Sequence, residues 1–508
     1  MQRLAYILFH RIVLVAIALL LQVAVLVVMI MIFSEHLPLF YWWCILLSIV
    51  VTLWIINRPG EPAYKIGWLI LIFSFPVLGG SLYLLAGGIR LSDRTRKKMN
   101  NINKQFVQNL YHDYKSDDLL PLGEDAAGQA RYLENHAFCP AYTNTEAEYF
   151  PLGDLAFTRM LEQLRCAKRY IFLEYFIIQP GKMWDHILEV LKEKAAEGLD
   201  VRVIYDDMGS IFALPKNYDK KLSESGIQCR SFNRFIPVVS LRLNNRDHRK
   251  LMIIDGGVGF TGGINLADEY INAVEKYGHW KDSVIMLEGD AVWSMTVMFL
   301  TMWDYCSGWE ENLSGFRPRP FPAKPWTGYV QPYTDTPLDD ETVSQTVYLN
   351  MISRARKFIY ITTPYLIIDT ATNTALCNAA KAGVDVRIIT PHIPDKKIVF
   401  EATKAHYPPL LEAGVKIYEY TPGFIHAKNF VVDGKYATVG TVNLDYRSLF
   451  LHFENGVWLC EAPCIADIIQ DFQETIEKSQ AVSLRHYRRL NPLIQLYRSV
   501  LRVFAPMM

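Results

Sequence analysis

Two stretches of this chain carry the same residue types at the same spacing. His248-Arg-Lys250-Leu-Met-Ile-Ile-Asp255 is followed after six residues by Gly262-Gly263-Ile-Asn265, and His426-Ala-Lys428-Asn-Phe-Val-Val-Asp433 after six by Gly440-Thr441-Val-Asn443. In a strand, side chains two apart share a face, so each His and its Lys can meet one ligand. A phosphate suits them: the Lys acts as a point charge, the Asn as an amide donor, and the Gly lets backbone come close. Doubling the unit sets His248, Lys250, His426 and Lys428 around one phosphorus, with Asn265 and Asn443 beside them. Such donors stabilise charge on the equatorial oxygens while two imidazoles occupy opposite, in-line sides. One His attacks and the other protonates the leaving oxygen, which requires opposite protonation states.

Each imidazole also needs a carboxylate on its far nitrogen. Asp282, in Trp280-Lys-Asp282, and Glu454, in Phe453-Glu454-Asn, follow the motifs in strand-like contexts and are assigned that orienting role. Asp255 and Asp433 complete the motif and are counted with the catalytic set. Each lies an odd number of residues beyond its Lys, so regular pairing turns it to the opposite strand face, where it holds the motif's shape. No metal ligand set is assigned, and no cofactor is expected.

The surrounding elements are also duplicated. Ala167-Lys-Arg-Tyr-Ile-Phe-Leu-Glu-Tyr-Phe parallels Ala355-Arg-Lys-Phe-Ile-Tyr-Ile-Thr-Thr-Pro, and Gly198-Leu-Asp-Val-Arg-Val-Ile parallels Gly383-Val-Asp-Val-Arg-Ile-Ile, a helix-stopping Gly running into a buried strand. The motifs come third in both halves. Strands alternating with helical patterns predict two α/β domains sharing one active site. Their expected bounds are 137–316 and 341–480, joined by a stiff Pro-rich segment at 317–340 that contains Arg317-Pro-Arg-Pro-Phe-Pro.

Ahead of them, residues 1–90 read as a membrane anchor and 91–136 as a linker. Segment 12–33 is apolar except for Gln22, and 39–56 is a second membrane-length run with Tyr41, Trp42 and Trp43 at its outer end. Together they predict a transmembrane helical hairpin. Segment 66–88 is interrupted by Pro76, Gly79 and Gly80 and is read as re-entrant or interfacial. Arg58 and Lys65 precede it, Arg90, Arg94, Arg96, Lys97 and Lys98 follow it, and the loop 34–38 has neither Lys nor Arg. That bias puts the catalytic part on the cytoplasmic side of a multi-pass membrane protein.

Lys plus Arg and Asp plus Glu both number 52, so net charge gives no hint of a polyanionic partner and no nucleic-acid partner is expected. The eight cysteines are scattered and read as reduced thiols; Cys460 and Cys464 read as buried small residues. Asp206-Asp207 reads as a turn or cap pair, Glu174 is a candidate to enter the site, and His279, near Asp282, is the one other histidine singled out. The tail, 481–508, is basic and amphipathic, suited to an interface with anionic lipid or to packing on the core.

The paired motifs resemble the phospholipase D superfamily from about Tyr149 to Glu477. More narrowly, Asn244-Asn-Arg246-Asp-His248-Arg-Lys250, Gly423-Phe-Ile-His426-Ala-Lys428 and Asn443-Leu-Asp445-Tyr-Arg447-Ser448 resemble the bacterial cardiolipin synthases, as does the N-terminal hairpin. The resemblance implies phospholipase D-like domains in the bacterial inner membrane and a metal-free transfer. In it, one phosphatidylglycerol gives its phosphatidyl group to His248 and a second accepts it, with His426 as acid and then base. A membrane-bound hydrolase of phospholipids or nucleic acid is the competing enzyme, because water can resolve the same intermediate. A lipid-binding scaffold without activity is disfavoured by two intact motifs. Gly263 and Thr441 stand where the superfamily has Ser, which removes a hydroxyl from the first half.

Overall fold

The computed structural model describes residues 38–58, 60–75, 116–234, 244–308, 311–318, 328–339 and 341–507, with short pieces between 20 and 102 and at 321–322. Helix α1 (Pro38–Asn57) and helix α2 (Pro62–Ser74) pack on each other ahead of the two repeated halves.

The first half runs β1 (Thr145–Phe150), α3 (Gly153–Arg165), β2 (Tyr170–Tyr175), α4 (Lys182–Ala196), β3 (Asp200–Asp206), β4 (Gln228–Phe232), β5 (Lys250–Ile254), β6 (Val258–Gly262), β7 (His279–Lys281), β8 (Val284–Gly289) and α5 (Val292–Ser307). The second runs β9 (Tyr329–Asp335), α6 (Val343–Arg354), β10 (Phe358–Thr362), β11 (Leu366–Ile367), α7 (Thr370–Lys381), β12 (Asp385–Pro391), α8 (Lys397–Ala405), β13 (Lys416–Tyr420), β14 (Gly423–Ile425), β15 (Asn429–Val432), β16 (Tyr436–Gly440), β17 (Leu444–Asp445), β18 (Glu454–Cys460), α9 (Ile465–Glu477), β19 (Ser479–Ala481) and α10 (Pro492–Phe504).

The sheet orders are β1-β8-β6-β5-β2-β3-β4 and β9-β18-β16-β15-β10-β12-β13-β19. Apart from the added β19, they are the same path walked twice. Each sheet is mixed: β2, β3 and β4 are parallel, while β5, β6, β8 and β1 join antiparallel. The parallel strands have helical crossovers and are buried on both faces, which explains why β2 and β10 read as continuous apolar runs.

Side-chain alternation divides the core. Ile171, Leu173, Val201 and Val203 pack with Trp184, Ile187 and Leu191 of α4, whereas Phe172, Ile204, Leu251 and Ile253 turn inward to a core continuous with Val431, Val439 and Trp458 of the second sheet. The halves are also stitched by buried polar contacts. Asn455 Nδ2 donates to Thr261 Oγ1 at 2.8 Å, Ser283 Oγ donates to Asn429 Oδ1 at 2.8 Å, and Lys281 Nζ lies 2.6 Å from Asp471. Strands β7 and β14 pair in parallel across the junction.

The N-terminal expectation fares differently. Segment 12–33 lies mostly outside the described residues, and among those described no helix is long and apolar enough to cross a membrane. The hairpin is therefore not established. Helix α1 nevertheless carries no charged residue, and Trp42, Trp43, Leu46, Leu47, Val50 and Leu53 are exposed on it. Helix α2 is only 13 residues, about 20 Å at 1.5 Å per residue, and ends before Pro76.

Candidate active site

The motif histidines stand just ahead of β5 and β15, and each is held by the opposite half. The backbone N–H of His248 donates to Phe453 O at 2.9 Å, and that of His426 to Lys281 O at 2.7 Å. The residues that follow those two carbonyls are the orienting carboxylates. His248 Nδ1 lies 2.9 Å from both oxygens of Glu454, and His426 Nδ1 lies 2.7 Å from Asp282 Oδ2. The carboxylates therefore cross between halves, which leaves neither half with a complete site. With Nδ1 occupied by a carboxylate, Nε2 of each imidazole is left for chemistry.

Lys250 Nζ donates to His248 O at 2.6 Å and Lys428 Nζ donates to His426 O. Both lysines, both carboxylates and both histidines are buried. Burial pulls Lys250 down to about 8 and Lys428 to about 7, even though Asp282 and Glu454 oppose the shift. Burial likewise lowers His426 to about 4, helped by Lys428 and resisted by Asp282. His248 falls well below its usual range through burial, with Lys250, Lys428 and His426 adding to it. Burial works to raise Asp282, but His426 and Lys428 outweigh it and leave its carboxyl below the usual range. Burial thus disfavours the charged forms of two lysines and two imidazoles that share a dry space with only the Glu454 and Asp282 carboxylates, and a phosphodiester monoanion arriving there favours those charged forms.

Asn265 Oδ1 accepts from the Ile177 N–H at 3.0 Å, and its Nδ2 donates to the Tyr270 hydroxyl at 2.7 Å, leaving one amide N–H for a ligand. Asn443 Nδ2 donates to Ser448 Oγ at 3.0 Å. Aromatic rings wall the imidazoles: Phe176 edges onto His248 at 5.1 Å, and Trp280, Tyr270 and Phe424 surround His426 at 5.5–5.9 Å.

The Gly263/Thr441 asymmetry has a steric cause. A Cβ at position 263 would stand 1.8 Å from Asp282 Oδ1, so the shorter carboxylate fills the space a side chain would take. In the second half Thr441 Oγ1 instead donates to Oε2 of the longer Glu454. The first half thus gives up the hydroxyl and keeps its carboxylate in place through the Ser283 N–H at 2.9 Å.

Asp255 and Asp433, counted with the catalytic set on motif grounds, do not share the site. Both have φ of 55° and are followed by Gly256 and Gly434 with φ of 69° and 70°, the left-handed pair that closes a tight hairpin. The Asp255 carboxylate accepts from the N–H groups of Lys168, Arg169 and Tyr170 at 2.7–3.0 Å, and Asp433 does the same for Arg356, Lys357 and Phe358 at 2.7–2.9 Å. They tie the motif hairpin to the start of β2 or β10. Glu174 also stays out: it lies on the inter-sheet face, 2.6 Å from Arg249 Nη2. Asp206 accepts from the N–H groups of Met208, Gly209 and Asp247, a turn role, and His279 Nδ1 meets Tyr420 OH at 2.9 Å.

Sequence reasoning missed His452. Its ring lies 5.5 Å from that of His248, its Nδ1 is 3.6 Å from Glu454 Oε1, and burial lowers it to about 3. Its position two residues before Glu454 was the available signal. Among the described residues, His248, His452 and Glu454 bring three possible metal donors within 4.8 Å of one another. Glu454 is already bonded to His248 there, and the adjoining lysines make a cation a poor occupant.

Comparison with known proteins places this geometry among relatives. Residues 160–291 and 348–476 match the family described as "Cardiolipin synthase, PLD-like domain", and 46–88 match "Phospholipase_D-nuclease N-terminal". A cardiolipin synthase 2 of Bacillus anthracis is 35% identical over 453 residues, covering 88% of this chain and 87% of that protein. A cardiolipin synthase of a Geobacillus strain is 33% identical over 464 residues, covering 91% and 92%. In fold, the chain is similar to the crystal structure of phosphatidylserine synthase from Haemophilus influenzae, with a TM-score of 0.56 at 16% identity over 74% of this chain and 97% of that one.

Proposed function

The chain belongs to the cardiolipin synthase family of phospholipase D-like proteins, and from that membership we propose that it transfers a phosphatidyl group from one phosphatidylglycerol to another, giving cardiolipin and glycerol. The observation that carries this reading is the pair of buried imidazoles, each with Nδ1 on a carboxylate of the other half and each with a buried lysine on its own backbone carbonyl.

His248 Nε2 attacks phosphorus, the bond to the glycerol oxygen breaks, and His426 gives that oxygen a proton. The arriving anion offsets part of the depression that burial and Lys428 impose on His426, so the imidazolium needed for this step forms as substrate binds. A hydroxyl of the second phosphatidylglycerol then loses its proton to His426 and attacks phosphorus. The N–P bond breaks, which releases cardiolipin and restores both histidines. Lys250, Lys428 and the free amide N–H groups of Asn265 and Asn443 carry the charge on the equatorial oxygens. Glu454 and Asp282 hold the tautomers, while Asp255 and Asp433 maintain the hairpins.

The catalytic halves run over 137–316 and, because β9 (Tyr329–Asp335) is already a strand of the second sheet, from Tyr329 to 480, which shortens the expected Pro-rich join 317–340 to 317–328. The expected linker 91–136 packs into the core through Leu119, Ala126, Ala130 and Leu133, and the anchor 1–90 and tail 481–508 flank this unit. The uncharged, apolar-surfaced α1 supports an anchor at the inner membrane, and the Lys/Arg bias after it supports a cytoplasmic site. Purified protein given phosphatidylglycerol labelled in its headgroup should form cardiolipin and release labelled glycerol in equal amounts. Phosphatidic acid as the sole lipid product would make it a hydrolase instead.

A further inference from the structure

Helix α10 presents two unlike sides. Leu501 and Ala505 are buried, and Arg498 pairs with Glu401 of α8 at 2.8 Å, so this side is docked on the second half. Leu493, Leu496, Tyr497 and Val500 recur at helical spacing on another side and are 46–72% exposed. The stripe is not isolated. Met507, just past α10, packs against Gly67 of α2, where a Cβ would stand 2.8 Å from its sulfur. Helix α2 itself exposes Ile66, Ile70 and Phe73.

Beside the stripe is a groove of about 400 Å³ whose lining includes Lys404, Arg488, Arg498 and Arg502. Glu401, Glu412 and Glu419 answer Arg498, Arg488 and Lys404. Arg485, Arg489 and Arg502 are exposed and have no carboxylate partner among the described residues. Arg485 and Arg489 lie in the segment that leads into α10, and Arg502 lies nine residues, about half a circuit of the helix, from Leu493. An exposed row of large apolar side chains with unanswered guanidinium groups on the same short tail would be a poor surface in water alone. They fit a boundary where acyl chains meet anionic headgroups: apolar side chains enter the acyl region and Arg binds phosphate bidentately.

We propose that α10 and its basic groove dock on the surface of an anionic bilayer, with Leu493, Leu496, Tyr497 and Val500 in the acyl boundary and Arg485, Arg489 and Arg502 on lipid phosphates. This surface is separate from the histidine site and does not depend on which lipid that site consumes. Being continuous with α2, it fixes the catalytic halves against the leaflet at a second place beyond the N-terminal helices.

Hydrogen exchange on the full chain in nanodiscs tests it, with phosphatidylserine as the anionic lipid so that docking is read apart from turnover. Peptides covering 492–504 should exchange at least tenfold more slowly in phosphatidylserine than in phosphatidylcholine nanodiscs, and part of that gain should disappear at high salt. L493S/L496S/V500S should lose the protection, and R485S/R489S/R502S should lose its lipid-charge dependence, each Arg near the surface counting for about fivefold. Both variants leave the histidine site untouched, so turnover of a short-chain, detergent-dispersed substrate should be unchanged. Equal exchange in both nanodiscs, or undiminished protection in L493S/L496S/V500S, would show that α10 only packs on its own chain and would overturn the proposal. Failure of phosphatidylglycerol turnover with docking intact would count against the catalytic reading alone.

Discussion

Because Glu454 belongs to the second half but orients the histidine of the first, Glu454→Gln should behave as a lesion of His248. Thr441 Oγ1 donates to Oε2, so a glutamine keeps its carbonyl oxygen there and turns its NH2 toward His248 Nδ1. Two donors then face each other, and the imidazole escapes by carrying its proton on Nε2 instead. The nucleophilic lone pair is lost with little change in shape. Losing the orienting carboxylate of a serine-protease histidine costs about 10⁴ in kcat, or about 5 kcal/mol at 1.36 kcal/mol per decade. Glu454 has both oxygens on the ring, so a loss of 10³–10⁴ is expected. The assay is acid-quenched single turnover with phosphatidylglycerol: E454Q should form the lipid–enzyme adduct at least 10³-fold more slowly while melting close to wild type. Adduct formation within tenfold of wild type, or accumulation of undischarged adduct as expected of a His426 lesion, would refute the crossed pairing.

Other consequences follow from the same geometry. Lys428 is depressed from 10.5 to about 7, so between those values the unfolded chain binds more protons and the empty protein gains stability as pH rises. Lys428→Met removes a buried charge worth a few kcal/mol at neutral pH, at 1.36 per pKa unit; scanning calorimetry should show a higher melting temperature together with lost turnover. His426 is neutral down to about 4 in the fold but to only about 6.5 when unfolded, so stability of the anion-free protein should fall as pH drops from 6.5 toward 4, by up to about 1.4 kcal/mol per unit from this group. Chemical denaturation across that range checks it, and a rise in stability would contradict it. Asp255→Ala strips three backbone N–H groups of their acceptor and should cost about 2–4 kcal/mol of stability, with residual activity per folded molecule far above that of His248→Ala. Gly263→Ser forces a side chain onto Asp282 and should lower turnover more than Thr441→Ser, measured side by side.

Local pattern explains how much of this was legible in the chain. The duplication, the shared face of His248 and Lys250 and the candidate carboxylates all depend on short spacings that a strand translates directly into geometry. Asp255 owes its position to the Asp-Gly turn and three N–H acceptances, not to strand parity alone. Crossed pairing was invisible because it depends on how the β7–β8 junction and β18 pack against the other half's motif, a contact between residues 144 and 206 positions apart. The mixed sheets were equally hidden, since β5, β6 and β8 are buried on both faces and read like parallel strands. His452 was overlooked because a lone histidine in an apolar run carries no motif.

The central claim is that the two motifs form one site in which His248 carries the phosphatidyl group. Mass-spectrometric mapping of the protein quenched during turnover of phosphatidylglycerol reads that directly. A phosphatidyl adduct is expected on His248, discharged to cardiolipin by added phosphatidylglycerol and absent from His248→Ala. An adduct on His426, or turnover to cardiolipin by His248→Ala, would contradict it.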